Sequence, residues 1–170
     1  MMTAIRVGLG FDIHRLVAGR RMVLAGVEVP SPVGPDAHSD GDVVFHAVAD
    51  AVLGAAGLGD LGEHFPDADP AWKDADSARL LGRATDLARS AGWRVAGADV
   101  NVFLERPKLG DLKAAMRQRL AELLGLPPDA AGLKARTLEG LGPIGQGRAV
   151  AAQAVVLLER APPGGGGGPM

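Results

Sequence analysis

Residues 149–158 are apolar on both of the faces that they would present as a β-strand. Side chains alternate between the two faces of a strand, and nine of these ten residues are Ala, Val or Leu, with Gln153 as the exception. Helices covering one side only would leave the other apolar face in water, which a monomer rarely tolerates. The segment therefore predicts a sheet with helices on one face and a second copy of the chain against the other.

The other hydrophobic patterns divide into short strands and amphipathic helices. Strands are predicted at 5–14, in a hairpin over 21–29 that turns at 25–26, and at 98–104 and 133–137. Helices are predicted from Ser39 to Leu53, over 77–90 and over 111–124, with 30–35 and 61–73 as loops. Ser39 and Asp42 have the spacing of a capping box. The pattern predicts an α+β, single-domain sandwich over residues 1–160, with a flexible Pro/Gly tail at 161–170.

Composition excludes several kinds of site and partner. The 170 residues include no cysteine, so any metal must be held by histidine and carboxylate side chains. A net charge of −2 gives no bulk attraction for nucleic acid or anionic lipid. There is no apolar run of about 20 residues for a membrane span, and the first residues lack the apolar core of a signal peptide. These features predict a cytoplasmic protein that binds neither nucleic acid nor membrane.

Three residues form a candidate metal site. Asp12 and His14 lie two residues apart on a predicted strand and so share one face. His46 belongs to a predicted helix, in a polar stripe with Asp42 and Asp50 at four-residue spacing. If the stripe faces the strand, Asp12, His14 and His46 can bind one ion and leave zinc an open position. Asp42 and Asp50 would then orient a metal ligand without binding the ion themselves. Taken alone, the Asp-x-His motif is also typical of a hydrogen-bonded pair at the surface. A helical histidine such as His46 is also typical of a core residue whose hydrogen bonds are satisfied.

Other common catalytic signatures are missing from the sequence. It contains no phosphate-binding glycine-rich loop ending in Lys-Ser or Lys-Thr, no Gly-x-Ser-x-Gly and no His-Glu-x-x-His. Without a cysteine, or a serine within a known catalytic motif, the chain is not expected to act through a covalent intermediate.

Several longer runs, in a fixed order, resemble the signature of the 2-C-methyl-D-erythritol 2,4-cyclodiphosphate synthase family. They are residues 10–14 (GFDIH), 37–42 (AHSDGD) followed by His46, 58–62 (LGDLG), 65–70 (FPDADP), 107–108 (PK) and 134–142 (KARTLEGLG). The similarity extends from about Val7 to Leu158 and is far more specific than any single run.

The resemblance implies a lyase of the non-mevalonate pathway of isoprenoid biosynthesis. The family converts 4-diphosphocytidyl-2-C-methyl-D-erythritol 2-phosphate to 2-C-methyl-D-erythritol 2,4-cyclodiphosphate and releases CMP. The nucleophile is the substrate's own 2-phosphate, which agrees with the lack of a protein nucleophile. Family members are homotrimers with active sites between subunits, so we expect the same of this chain.

The resemblance also assigns residues to roles. It implies zinc at Asp12, His14 and His46, and magnesium or manganese at Glu139. It implies catalytic roles for His38, Thr137 and Asp50. It implies substrate binding by Ser39, Asp60, Gly62, Asp67, Pro107, Lys108, Ala135, Thr137 and Glu139.

The chain departs from the family's pattern near its end. A usual run of three threonines before the glutamate reads Arg136-Thr137-Leu138, so one hydroxyl remains. A usual Gly-Arg-Gly-Glu reads Gly-Gln-Gly-Arg at 145–148, preceded by Pro143 instead of an aromatic residue. In the family, that arginine faces the three-fold axis, where an isoprenoid diphosphate is thought to bind. If the chain is extended there, Gln146 and Arg148 share a face, and the hypothesis is that Arg148 holds the axial anion; the alternative is that it turns to solvent.

Two other functions use the same residues. A zinc phosphohydrolase would need the same metal ligands, but it would not need Lys108, Thr137 and Glu139 on a cytidine side. A trimeric binding module with structural zinc would need a fourth protein ligand, and the sequence offers three.

Overall fold

The computed structural model describes residues 4–66 and 75–161. Its strands are β1 (Ile5–Ala18), β2 (Met22–Leu24), β3 (Val27–Val29), β4 (Val33–Pro35), β5 (Trp93–Phe103), β6 (Ala131–Arg136) and β7 (Ala149–Arg160). Its helices are α1 (Val43–Ala56), α2 (Leu61–His64), α3 (Ser77–Ser90), α4 (Lys113–Leu124) and α5 (Gly142–Gly145), with 3-10 turns at Gly110–Leu112 and Pro128–Ala130. Of the predicted tail at 161–170, residues 162–170 lie outside the described residues.

The main sheet has five strands in the order β4-β1-β7-β5-β6. The β5–β6 pair is parallel, and the other three pairs are antiparallel. The apolar segment at 149–158 lies within the central strand, β7, so it forms a strand as predicted. The sheet is therefore mixed, and the protein is α+β as predicted.

Helix α1 packs directly on β1 because two glycines leave room for it. A Cβ atom at Gly8 would lie 1.9 Å from the carbonyl oxygen of Ala51, and one at Gly10 would lie 1.9 Å from that of Ala47. Helices α3 and α4 continue the same layer, and the core between helices and sheet includes Val100, Val156 and Leu158. The three long helices thus lie on one face of the sheet, while the single turn α5 lies against the other face.

The opposite face of the sheet is largely uncovered. Five alternate residues of β1 are 46–67% exposed, and Val155 of β7 beside them is 45% exposed; the five are Ile5, Val7, Leu9, Phe11 and Ile13. Near the start of β7, a small cluster formed by Ile144 of α5 with Ala149 and Ala151 covers part of this face. Within the described ranges, no helix combines the length and apolarity needed to cross a bilayer.

The predicted hairpin at 21–29 is confirmed, but it forms its own two-stranded sheet. Strands β2 and β3 pair antiparallel, with Met22 opposite Val29. The turn residues Ala25 and Gly26 both have positive φ, at 50° and 71°. This is the conformation that favours tight hairpins with the right-handed twist of strands.

The predicted start of the first long helix is wrong. The helix begins at Val43 with Asp42 as its N-cap, and not at Ser39. Gly41 has φ of 74°, in the left-handed region, so the backbone cannot be helical before Asp42. Ser39 and His38 consequently lie in the loop that precedes the helix.

Other differences concern loops that contain regular structure. Val33–Pro35 forms the edge strand β4, where a proline is tolerated because its missing N–H faces away from the ladder. Residues 61–64 form the single turn α2, which Asp60 caps by accepting a hydrogen bond from the Glu63 N–H at 2.9 Å. Both elements are too short to leave a periodic pattern.

The expected extended chain at 146–148 is also wrong. Gln146 follows α5 with φ −84° and ψ 1°, Gly147 has φ of 71°, and β7 starts at Ala149. The two residues therefore do not share a strand face. Their side chains still meet, because the guanidinium of Arg148 donates to Oε1 of Gln146 at 2.5 Å.

Candidate metal centre

Asp12, His14 and His46 meet at one point between β1 and α1. Their candidate ligand atoms all lie within 4.8 Å of one another. Asp12 Oδ2 is 2.9 Å from His46 Nδ1 and 3.0 Å from His14 Nε2, and the two nitrogens are 3.3 Å apart. The prediction that the strand pair and the helical histidine converge is confirmed.

Strand register and close packing together create this cluster. Asp12 and His14 pair with Ala152 and Val150, whose buried side chains lie on the helix-covered face. The close approach of α1 at Gly10 then brings His46 over that face. The three side chains remain partly accessible, with exposed fractions of 25%, 19% and 10% for Asp12, His14 and His46.

The donor set fits zinc. Two imidazole nitrogens and one carboxylate oxygen are one of the three-ligand sets that catalytic zinc sites use. Ligands bound 2.0–2.1 Å from a tetrahedral ion lie about 3.3 Å from each other, close to the triangle of 2.9, 3.0 and 3.3 Å found here. Three protein ligands would leave a fourth position open towards the neighbouring cavity.

The cluster also changes the proton affinities of its members. Burial by itself would raise the pKa of Asp12, but hydrogen bonds from His14 and His46 outweigh it and hold that pKa well below its ordinary value. Burial would lower the pKa of His46, but the hydrogen bond and negative charge of Asp12 raise it. These opposite shifts favour a charged pair of Asp12 and His46, and a metal ion bound at Nδ1 would take the place of the proton there.

A cavity of about 360 Å³ opens beside the three residues. Two of the predicted phosphate-side residues, His38 and Ser39, line it, together with Gly62 of α2. Its other lining residues are Asp12, His14, Asp36, Ala37, His46, Leu61, Phe65 and Leu80. The cavity is large enough for a phosphorylated group bound next to the metal position.

Two acidic residues of the helical stripe are used elsewhere. Asp42 is fully buried and accepts hydrogen bonds from four backbone N–H groups, those of Ala25, Gly26, Val44 and Phe45. Asp50 accepts a hydrogen bond from the Leu61 N–H at 3.1 Å and does not line the cavity among the described residues. Each of these two carboxylates fixes a loop to α1, and the hydrogen bonds described for them do not reach the side chains of Asp12, His14 or His46.

The predicted cytidine-side residues lie at the far edge of the sheet. Pro107 and Lys108 follow β5, Ala135 lies in β6, and Thr137 and Glu139 follow β6. Asp12, Ala152, Val102 and Ala135 occupy one row across four neighbouring strands. At about 4.8 Å per strand, Ala135 is about 14 Å from Asp12. Among the described residues, none of this set lines the cavity with the metal triad. Predicted Asp67 lies outside the described residues.

The loop after β6 is held in a defined shape. Glu139 has φ of 52°, which is uncommon for a residue with a side chain. Thr137 Oγ1 donates to Glu139 Oε1 at 3.1 Å, and the Leu138 N–H donates to Glu105 Oε2 at 3.1 Å. Glu105 was not singled out from the sequence, because nothing in its spacing indicates that it reaches a loop 33 residues later.

Sequence reasoning also missed the two residues behind His46. Ser77 Oγ lies 2.9 Å from His46 Nε2 and makes a further hydrogen bond to Asp40. Both residues occur in short polar runs where many roles are plausible. Only the structure shows that Ser77 is fully buried at the first position of α3.

Comparison with known proteins identifies what this chain resembles. The sequence profile described as the YgbB family matches residues 5–159. A protein of Solibacter usitatus named 2-C-methyl-D-erythritol 2,4-cyclodiphosphate synthase is 51% identical over 159 residues, which cover 94% of this chain and 100% of that protein.

Solved structures agree with this similarity. The bifunctional IspDF of Campylobacter jejuni superimposes with a TM-score of 0.89 at 42% identity over 94% of this chain, which spans 43% of that longer protein. A 2C-methyl-D-erythritol-2,4-cyclodiphosphate synthase described as a CDP-bound form gives a TM-score of 0.84 at 46% identity, over 90% of this chain and 99% of that one.

Proposed function

Because the chain belongs to the YgbB family, we propose that it converts 4-diphosphocytidyl-2-C-methyl-D-erythritol 2-phosphate to 2-C-methyl-D-erythritol 2,4-cyclodiphosphate. An oxygen of the 2-phosphate forms a bond to the β-phosphorus, and the bond from that phosphorus to the CMP oxygen breaks. CMP leaves with the electron pair, so no water is consumed. The observation that carries the proposal is the triad of Asp12, His14 and His46 beside a cavity lined by His38 and Ser39.

The metal assignment rests on the donor set. The triad would hold zinc, which when bound polarises a phosphate oxygen as a Lewis acid. Glu139 would hold magnesium or manganese, which takes most of its ligands from phosphate oxygens and water. His38 and Ser39 would bind the diphosphate from the loop before α1, and Thr137 would contact it from the loop after β6. Asp60 and Gly62 lie at α2, where they would shape the side of the cavity that holds the sugar.

The separation of the two residue sets supports an active site between subunits. Lys108 and Ala135 would bind the cytidine side, yet Ala135 is about 14 Å along the sheet from Asp12 and outside its cavity. The uncovered apolar face of β1 supports a homotrimer in which one subunit supplies the metal side and its neighbour the cytidine side. The CDP-bound relative supports a cytidine nucleotide as part of the substrate.

The products separate this proposal from hydrolysis at the same metal site. We expect wild-type protein with zinc and magnesium to give equal amounts of CMP and a cyclic diphosphate in phosphorus-31 NMR. In water enriched in oxygen-18, neither product should carry the label, because the nucleophile belongs to the substrate. Open-chain products that carry the label would instead establish a hydrolase and overturn the proposal. His46→Ala protein, purified in the same way, controls for activity from the expression host.

A further inference from the structure

Behind the metal triad, three side chains form a line that leads away from the cavity. His46 Nε2 is 2.9 Å from Ser77 Oγ, and Ser77 Oγ is hydrogen-bonded to Asp40 Oδ1. Ser77 is fully buried, and His46 is almost so. Neither Asp40 nor Ser77 is a candidate metal ligand, since the line meets His46 on the nitrogen opposite to the triad.

The chemistry of Asp40 sets the direction of every hydrogen bond in this line. A carboxylate oxygen only accepts, and both oxygens of Asp40 are engaged. Oδ1 accepts from the Ser77 hydroxyl and from the Asp42 N–H, and Oδ2 accepts from the Ser77 N–H at 3.2 Å. The single hydrogen of the Ser77 hydroxyl is therefore committed to Asp40, and its lone pairs remain for His46.

The consequence reaches the metal triad through the imidazole ring. Since Ser77 Oγ can only accept from His46, Nε2 must carry the hydrogen of that bond. A neutral imidazole with its hydrogen on Nε2 has its lone pair on Nδ1, the atom 2.9 Å from Asp12 and 3.3 Å from His14. Ser39 Oγ lies 3.2 Å from the same Nε2 while accepting from the Gly41 N–H, so it can share this hydrogen without reversing the direction.

We propose that Asp40 and Ser77 are positioning residues that fix the tautomer and ring orientation of His46 for metal binding. The inference rests on the metal role in the proposed function. Partners of this kind typically change metal affinity by about 10- to 100-fold when they are removed. Asp40 acts through Ser77, and Ser77 acts through His46, so neither touches the substrate.

A purely structural role is the alternative that the experiment has to separate. Ser77 is the first residue of α3, and the Asp40 N–H donates to the Ala75 carbonyl at 3.2 Å. The pair could therefore serve only to attach the start of α3 to the loop before α1. A structural role predicts a lower melting temperature of the metal-free chain, whereas a positioning role predicts weaker zinc binding at an unchanged melting temperature.

The test measures zinc affinity by chelator competition on the full metal-free chain, without substrate. We expect Ser77→Ala to bind zinc about 10- to 100-fold more weakly than wild type. Ser90→Ala is the matched control, since it removes an exposed hydroxyl at the other end of the same helix and should leave affinity unchanged. Ser77→Thr keeps the hydroxyl and should restore most of the affinity.

Asp40→Asn tests the direction of the line if Ser77→Ala does not fold. Its amide must place an NH₂ group where one accepting oxygen was, and with that group at the Oδ1 position the Ser77 hydroxyl loses its acceptor and can donate to His46. Nitrogen-15 NMR of the metal-free chains, at a pH above the folded pKa of His46, should show hydrogen on Nε2 of His46 in wild type and a mixed or reversed tautomer in Asp40→Asn, which should also bind zinc more weakly.

Each other outcome has a definite meaning. Unchanged zinc affinity and tautomer in both variants would overturn the inference and leave the proposed function intact. A loss of affinity matched by a loss of melting temperature, without restoration by Ser77→Thr, would assign Ser77 to structure alone and also overturn it. A wild-type chain that binds no zinc would overturn both this inference and the metal role in the proposed function.

Discussion

His46 is in contact at both of its ring nitrogens. Nδ1 faces Asp12 and His14, and Nε2 faces two serine hydroxyls. An imidazole with partners on both sides has one orientation, which suits a ligand that must meet a metal ion at a fixed angle. His46 is therefore the residue whose substitution should disrupt metal binding most.

We expect His46→Ala to lose bound zinc and to lower turnover on the order of a thousandfold, since Lewis-acid stabilisation contributes several kcal/mol to such transition states. Elemental analysis and the product assay measure the two effects. His64→Ala is the control for zinc content, because His64 lies in α2 and bonds the Leu58 carbonyl instead of the triad. Near-normal zinc and cyclisation in His46→Ala would contradict the metal assignment.

The raised pKa of His46 predicts that zinc binding depends on pH. Zinc needs the unprotonated Nδ1, and the raised pKa means that the proton stays on to a higher pH than the ordinary 6.5. Zinc affinity should therefore rise with pH through that folded pKa, with release of a proton on binding. The stability of the metal-free chain should depend on pH in the opposite direction. The charged pair with Asp12 stabilises the fold below pH 6.5, and this stabilisation is lost as the pH rises through the folded pKa of His46. Calorimetry in buffers of different ionisation enthalpy measures the proton; a pH-independent affinity from 6 to 8 would refute the prediction.

At the scale of elements, the contact between β1 and α1 decides whether the metal site exists. Gly10 lies under Ala47, the residue after His46, with no space for a Cβ atom. A side chain at this position must displace α1, and with it the histidine, from Asp12 and His14. Fold stability and metal binding are thus coupled at a residue that touches no ligand.

Gly10→Ala should lower the free energy of unfolding by about 1–3 kcal/mol or more, as overpacking does, and should weaken zinc binding. Gly54→Ala is the matched control, because Gly54 lies in α1 and, apart from its chain neighbours and the backbone of that helix, no atom lies within 4 Å of its Cβ position. That substitution should stabilise the chain by about 0.5–1 kcal/mol, since glycine in a helix is less favourable than alanine. Denaturant unfolding measures both variants, and equal stability of Gly10→Ala and wild type would show that the contact is not tight.

At the scale of the whole molecule, the uncovered face of the sheet is the dominant surface feature. Phe11, Leu9 and Val7 of β1 are each more than half exposed, and Val155 of β7 continues the apolar surface. A contiguous apolar surface of this kind usually marks an interface. The proposed trimer would bury it and would bring cytidine-side and metal-side residues together.

Sedimentation should therefore show a trimer that Leu9→Glu converts to monomers, because a buried unpaired carboxylate is strongly unfavourable at an interface. Ala114→Glu places the same charge on exposed α4 and should leave the trimer intact. The Leu9→Glu monomer should retain zinc, whose ligands come from one chain, but lose cyclisation. A stable wild-type monomer with full activity would contradict the proposed assembly.

Local sequence determined those features that depend on neighbouring residues. The two-sided apolar pattern over 149–158 predicted a strand, and the two-residue spacing of Asp12 and His14 predicted a shared face, because strand geometry repeats every two residues. The hairpin at Ala25-Gly26 followed from its turn residues in the same way. The family similarity of longer runs supplied the function, which no local pattern contained.

Tertiary structure alone decided how distant residues are used. Asp42 had the spacing of a metal-orienting residue but caps α1 and binds two hairpin N–H groups, while Ser77 and Asp40, without any such spacing, reach His46. Glu105 reached the Leu138 N–H for the same reason. A hydrogen bond depends on where two chain segments cross, to within a few tenths of an ångström. That crossing is set by packing, such as the approach of α1 to Gly10, and not by the order of residues along the chain.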